Sequence, residues 1–202
     1  MPFESLLSLP LIEKAAVMLG RPKLILSYDD TSSNNREIVP EVARTAPHGN
    51  IPPFLIRTGE AAYLRVDVEN IGRSKQAEGC QVFVTSISQS GGAIVRVGSP
   101  LSWAHSDDDA DFEPRTLFVA VPQTVNLCKV SNARNALVFM SQFAARGGHT
   151  FDATGDYVVT LRAVGTNFVS PGEMTLAIHF HVDDFSKLRG EIVDVRGAYR
   201  TA

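Results

Sequence analysis

"LRVDVENIGRSKQAEGCQVFV", Leu64 to Val84, is the stretch on which the fold of this chain turns. At its start Leu64, Val66 and Val68 fall on one side and Arg65, Asp67 and Glu69 on the other. That is the two-residue period of a half-buried strand. At its end Cys80, Val82 and Val84 alternate with Gln81 and Phe83 in the same way. Between them lies a polar run containing Asn70, Gly72 and Gly79, residue types that turns favour. A connection cannot bury its backbone polar groups, so it stays wet and its side chains are polar. The stretch therefore predicts strand, exposed turn, strand.

The same pattern recurs on both sides of it. "KLILSY" (Lys23–Tyr28), "AIVRVG" (Ala93–Gly98), "RTLFVAV" (Arg115–Val121), "QTVNLCKV" (Gln123–Val130) and "ALVFMSQF" (Ala136–Phe143) are short apolar or alternating runs. Near the end, Tyr157, Val159, Leu161 and Ala163 share a face, as do Met174, Leu176, Ile178, Phe180 and Val182. "TNFVSPG" joins these two runs, which together predict a hairpin. Many short strands separated by turn signals predict an all-β, antiparallel two-sheet sandwich. The sandwich is expected over residues 21–182, with long loops at 29–60 and 131–153 and a charged tail at 183–202 that ends as a short helix, a strand or a frayed end.

Residues 1–20 are apolar and separate from this pattern. Leu11, Ile12, Ala15, Ala16 and Leu19 recur at helical spacing, and Gly20 with Pro22 makes a stop. A helix over 3–19 is expected, packed on the domain, docked on a partner or lying on a membrane surface, and a partner is expected to contact it around Leu6, Leu11, Ile12 and Val17 or to contact the excursion at 29–60. Glu4 precedes the first basic residue, Lys14, which argues against a secretory signal. Glu4, Pro10 and Lys14 interrupt a stretch already too short for the roughly 20 residues of a span. Stable membrane insertion is not expected, and a cytoplasmic location is the default. Net charge is −3 with scattered Lys and Arg, which gives no footprint for nucleic acid. The two cysteines, Cys80 and Cys128, read as buried thiols or as one bridge.

"YLRVDVENIGRSKQAEGCQVFV" resembles the strand–turn–strand of immunoglobulin-like adhesion modules of the CARDB kind, and "TGDYVVTLRAVG" resembles the strand of such folds that opens Gly-x-Tyr. The resemblance covers Ala61–Val182 in pieces. It implies an immunoglobulin-like sandwich, a corner hydrogen bond from Tyr157, and a role in binding or spacing other proteins. Val159 stands where antibody domains keep a cysteine.

Candidate chemistry is sparse. No Gly-x-Ser-x-Gly, His-Glu-x-x-His or phosphate-cradling glycine loop occurs. Asp107, Asp109 and Asp111 alternate in the most acidic loop, and hard cations such as Ca²⁺ take oxygen ligands of this kind. Counted from Asp107, Phe112 and Phe118 stand where an EF-hand needs Gly and Glu, so only a loop-type site remains. His179 and His181 share a strand face with Asp183, a pair that binds Zn²⁺ when a third ligand converges. Arg65, Arg73 and Lys75 accompany Asp67, Glu69 and Glu78, a solvated face of both signs. Trp103 reads as a core residue. The function expected is a non-catalytic protein-binding or scaffolding module whose partner is another protein or the chain itself. A calcium-dependent ligand-binding domain, for example for glycans, is the alternative, and an enzyme with a loop-built site is the second.

Overall fold

The computed structural model describes residues 22–45, 55–72, 75–89, 92, 94–105, 111–131, 135–142, 150–167 and 172–196. The expected helix with Leu6, Leu11, Ile12 and Val17 lies outside them, as do Asp107, Asp109 and Arg73. Within them the chain is almost entirely β. Two antiparallel sheets form, and helical structure is limited to one 3-10 turn at Phe185–Lys187.

The first sheet contains β1 (Leu24–Ser27), β2 (Arg36–Arg44), β3 (Leu55–Asn70), β7 (Gln123–Ser131), β8 (Ala136–Phe139) and β9 (Thr150–Phe151). The second contains β4 (Ala77–Gln89), β5 (Ile94–Pro100), β6 (Arg115–Leu117), β10 (Gly155–Val164), β11 (Glu173–Phe180) and β12 (Arg189–Arg196). The predicted hairpin is β10–β11, with Tyr157 opposite Ile178.

The two strands read at Leu64–Val84 do not pair with each other. β3 lies in the first sheet and β4 in the second, so the turn between them steps across the core. Asn70 makes that step. It is fully buried, and its side-chain carbonyl accepts from the Gly72 and Lys23 amides at 3.0 and 3.3 Å. Its amide donates to the Lys75 and Leu117 carbonyls at 2.8 and 3.3 Å. A chain leaving a sheet strands its backbone polar groups, and one side chain satisfies those of three segments here. Gly79 follows at φ +60, where a Cβ would sit 2.8 Å from Thr166. Any other residue would meet both strain and a clash.

Between the sheets lie Leu64, Val66 and Val68 from β3, Val82 and Val84 from β4, and Tyr157, Val159, Leu161, Leu176 and Ile178 from the hairpin. Trp103 joins this core and donates its indole N–H to the Glu113 carbonyl at 2.8 Å. Cys80 and Cys128 are buried as free thiols, one in each sheet, and no bridge joins them. Burial pushes the Cys80 thiol up to about 11 and Cys128 further. The hydrogen bond expected of Tyr157 is present: its hydroxyl donates to the Ala153 carbonyl at 2.7 Å.

Three expectations are corrected. The stretch 29–60 is not one loop: it holds β2 and the first residues of β3. The stretch 131–153 holds β8 and β9. The tail at 183–202 contributes β12, a full strand of the second sheet paired with β11, so the sandwich does not end at 182. Gly190 permits this docking, since a Cβ there would lie 2.7 Å from the Tyr28 ring.

Candidate functional site

The features that stand out from this frame gather at its Tyr157 end. β3 is sixteen residues long, and its neighbours share it unequally. β7 pairs with Ala61–Val68 and β1 with Asp67–Asn70, whereas β2 pairs with Leu55–Leu64. Residues 55–60 of β3 therefore have β2 on one side and no strand on the other among the described residues. β2 packs on β3 and on no other described element to a comparable extent. The two form a ribbon that overhangs the sandwich.

Register assigns its faces. Ile38 lies opposite Ala62, which is a core residue, so Ile38 is on the core-facing side. β2 alternates regularly, which places Pro40 and Val42 on that side. Thr58 is the extra residue of a bulge, and beyond it Arg57 pairs with Val42. Leu55 follows on the same side. Yet Ile38 is 46% exposed, Val42 57% and Leu55 67%, while Ala62 is 1% exposed. The core face continues along the ribbon, but the second sheet does not reach over it. Arg57 and Glu60 form an ion pair of 2.5 Å on this face.

The opposite face of the ribbon carries Glu37 and Glu41, which fasten its base, and Ile56, which is 43% exposed farther out. Glu37 of β2 reaches Arg65 on β3, and Glu41 reaches across β3 to β7. Arg65, only 6% exposed, bonds Glu37 and donates from Nε to the Asn126 side chain at 3.0 Å. Glu41 accepts from Lys129 Nζ at 3.2 Å and from the Ser131 hydroxyl. The Tyr63 ring lies between the cations, 5.2 Å from the Arg65 guanidinium and 5.6 Å from Lys129 Nζ. Although burial opposes charge on Lys129, the Tyr63 and Glu41 partners outweigh it and hold the ammonium pKa above its ordinary value. The expectation that Arg65 sits on a solvated face is thus wrong: it is a buried cation in a satisfied network. These groups bind each other across three strands and fix the base of the ribbon.

Beside that base is a shallow groove of about 430 Å³ lined by Asp156, His179, His181, Lys187 and Arg189. His179 Nδ1 is 2.7 Å from Asp156, and its Nε2 is 3.8 Å from Glu191. His181 and Asp183 lie beyond the end of β11 and are exposed. No group of three or more His, Cys, Asp or Glu side chains among the described residues is arranged to hold a metal ion. The imidazole instead joins β11 to β10 at the surface through its bond to Asp156.

Of the acidic trio, only Asp111 is described. Its carboxylate receives the Arg115 guanidinium at 2.5 Å and the Glu113 amide at 3.1 Å. That guanidinium holds the Asp111 carboxyl below the usual carboxylate range. Arg115 also lies 5.1 Å over the Trp103 ring, so Asp111 helps to close the cover of the tryptophan.

No family model, no curated protein and no solved structure matches this chain. No helix among the described residues is long and apolar enough to cross a membrane. Neither Glu37 nor Glu41 was singled out from the sequence. Their signal is the alternation Glu37, Val39, Glu41 against Ile38, Pro40, Val42, which Pro40 obscures.

Proposed function

We propose that this chain is a non-catalytic, immunoglobulin-like module that binds another polypeptide through the core-facing side of its ribbon. The observation that carries this reading is the exposure of Ile38, Val42 and Leu55 on a face that elsewhere is interior. Fully burying one such side chain stabilises by about 1.5–3 kcal/mol. A two-stranded ribbon is marginal by itself in water. Here the polar clamp holds the ribbon out, and its apolar side is left for something else to cover. The alternation of the sandwich strands and the Tyr157 corner bond support the immunoglobulin-like class. The absence of catalytic motifs from the sequence supports a binding role over an enzymatic one.

A photo-cross-linking residue at Val42 tests this in the protein's native host. The expected result is a covalent adduct with a polypeptide, absent when the same probe replaces Thr116, an exposed residue on β6. Equal labelling from both positions, or none from Val42, would overturn the reading.

A further inference from the structure

We infer that the apolar segment at residues 11–19 of this chain docks on an apolar face at the Asn70 end of the sandwich, formed by Ile71, Phe118, Val119 and Val121. That face lies at the end of β3 opposite the ribbon, so the inference is independent of the ribbon reading. Residues 11–19 lie outside the described residues; their sequence and their point of attachment carry the argument.

The connection from β6 to β7 contains Phe118, Val119, Ala120 and Val121 in succession, although exposed connections are ordinarily polar. Phe118 is 54% exposed, Val121 47%, Ile71 40% and Val119 37%. Single exposed apolar residues are ordinary, but four on two adjoining segments make a patch that marks an interaction surface. The patch is held where it is. The Ala120 amide donates to the Asn70 carbonyl at 3.0 Å, Val119 bridges Asn70, and Ala120 takes φ +57, a left-handed conformation uncommon for alanine. Backbone bonds thus fix the turn with these side chains at the surface.

The chain's own N-terminal part joins the sandwich beside this face. The Ile71 amide donates to the Lys23 carbonyl at 2.9 Å, and the Lys23 amide donates to Asn70 Oδ1 at 3.3 Å. One peptide group, between Asn70 and Ile71, therefore bonds Ala120 on one side and Lys23 on the other. The three segments lie side by side across about 10 Å, two strand spacings. Pro22, the residue before Lys23, is buried. Leu19 is three residues farther back, so it reaches at most about 11 Å from Pro22 at about 3.6 Å per residue. The segment thus leaves the fold within reach of the patch. In it Leu11, Ile12, Val17, Met18 and Leu19 are large and apolar, and only Glu13 and Lys14 are charged. Such a sequence gains from a dry surface to lie on.

Attachment also removes the size requirement. Four side chains are too few to hold a free partner, since specific interfaces bury roughly 800 Å² on each side. A segment joined by a short link meets the patch at an effective concentration on the order of millimolar, so a contact of this size closes within one molecule.

Methyl nuclear Overhauser spectroscopy on the full chain, labelled at Ile, Leu and Val, tests this. The expected result is contact from the Ile71, Val119 and Val121 methyls to those of Leu11, Ile12, Val17 or Leu19. Phe118→Asp, on the exposed turn, is expected to abolish these contacts while those between Val159 and Leu176 of the β10–β11 hairpin persist. Val17→Asp with Leu19→Asp is expected to shift the Ile71, Val119 and Val121 resonances and to leave those of Val42 and Leu55 in place. A wild-type chain without contact between the segment and this face overturns the inference. So does contact from residues 11–19 to Ile38, Val42 or Leu55 instead. Contact seen only between differently labelled chains would give the face to a second copy and overturn it too. The wild-type contacts decide the matter even where a substituted chain fails to fold.

Discussion

The two halves of β3 share one strand and meet opposite surroundings. From Ala61 to Val66 it is buried on both faces, against the core on one side and the Arg65–Glu37–Asn126 network on the other. From Leu55 to Thr58 it is exposed on both. β2 pairs with both halves as far as Leu64, but β7 joins only from Ala61, so the buried half has a strand on each side and the exposed half on one. The second sheet, too, covers only the buried half. A strand face is interior only where another layer covers it, and the same kind of residue is core at one position and exposed at another.

Two leucines put that contrast to its sharpest test. Leu64→Ala empties a fully buried site and is expected to cost about 2–5 kcal/mol in denaturant unfolding. Leu55→Ala should stay within about 0.5 kcal/mol. Equal losses would mean that the ribbon is folded onto the core. Next in size is Asn70→Ala, at the far end of the buried half. It leaves two amides and two carbonyls without their partner and is expected to cost roughly 1–3 kcal/mol. A neutral result would show that the chain crosses between sheets without this side chain. The smallest effect belongs to Asp111→Asn, away from both halves. The folded carboxyl sits below its unfolded value, so the stabilisation is present above about pH 4 and is lost as pH falls through the folded pKa. The Asp111–Arg115 pair is partly exposed, so the difference from wild type should be under about 1 kcal/mol at pH 7 and should shrink in acid. A gap that widens in acid would show the sign to be wrong.

Much of the sandwich was legible because its strands alternate between a dry and a wet face. β10 and β11 show that alternation without interruption, and they form the hairpin the sequence predicts. The burial of Trp103 was legible too, while the hydroxyl bond of Tyr157 was an implication of the family resemblance alone. β2 was not, for a physical reason. "REIVPEVAR" carries a proline at its centre, which a central strand excludes but an edge strand tolerates. Its glutamates find their partners only in the fold, Arg65 on β3 for Glu37 and Lys129 with Ser131 on β7 for Glu41. Arg65 misled in the same way, since a charged residue on an alternating strand reads as solvent-facing until its partners are in view. The ribbon face was hidden because a periodic pattern reports which side residues share. It carries no information on how far the opposite layer extends.

The two thiols have a use of a different kind. Cys80 belongs to one sheet and Cys128 to the other, both walled off and both held far from the thiolate form. A thiolate-seeking reagent therefore meets neither in the closed protein. Any modification records a moment at which the layers have parted. The chain thus carries its own clock for opening, one hand in each sheet, and a difference between the two rates would tell which layer lets water in first.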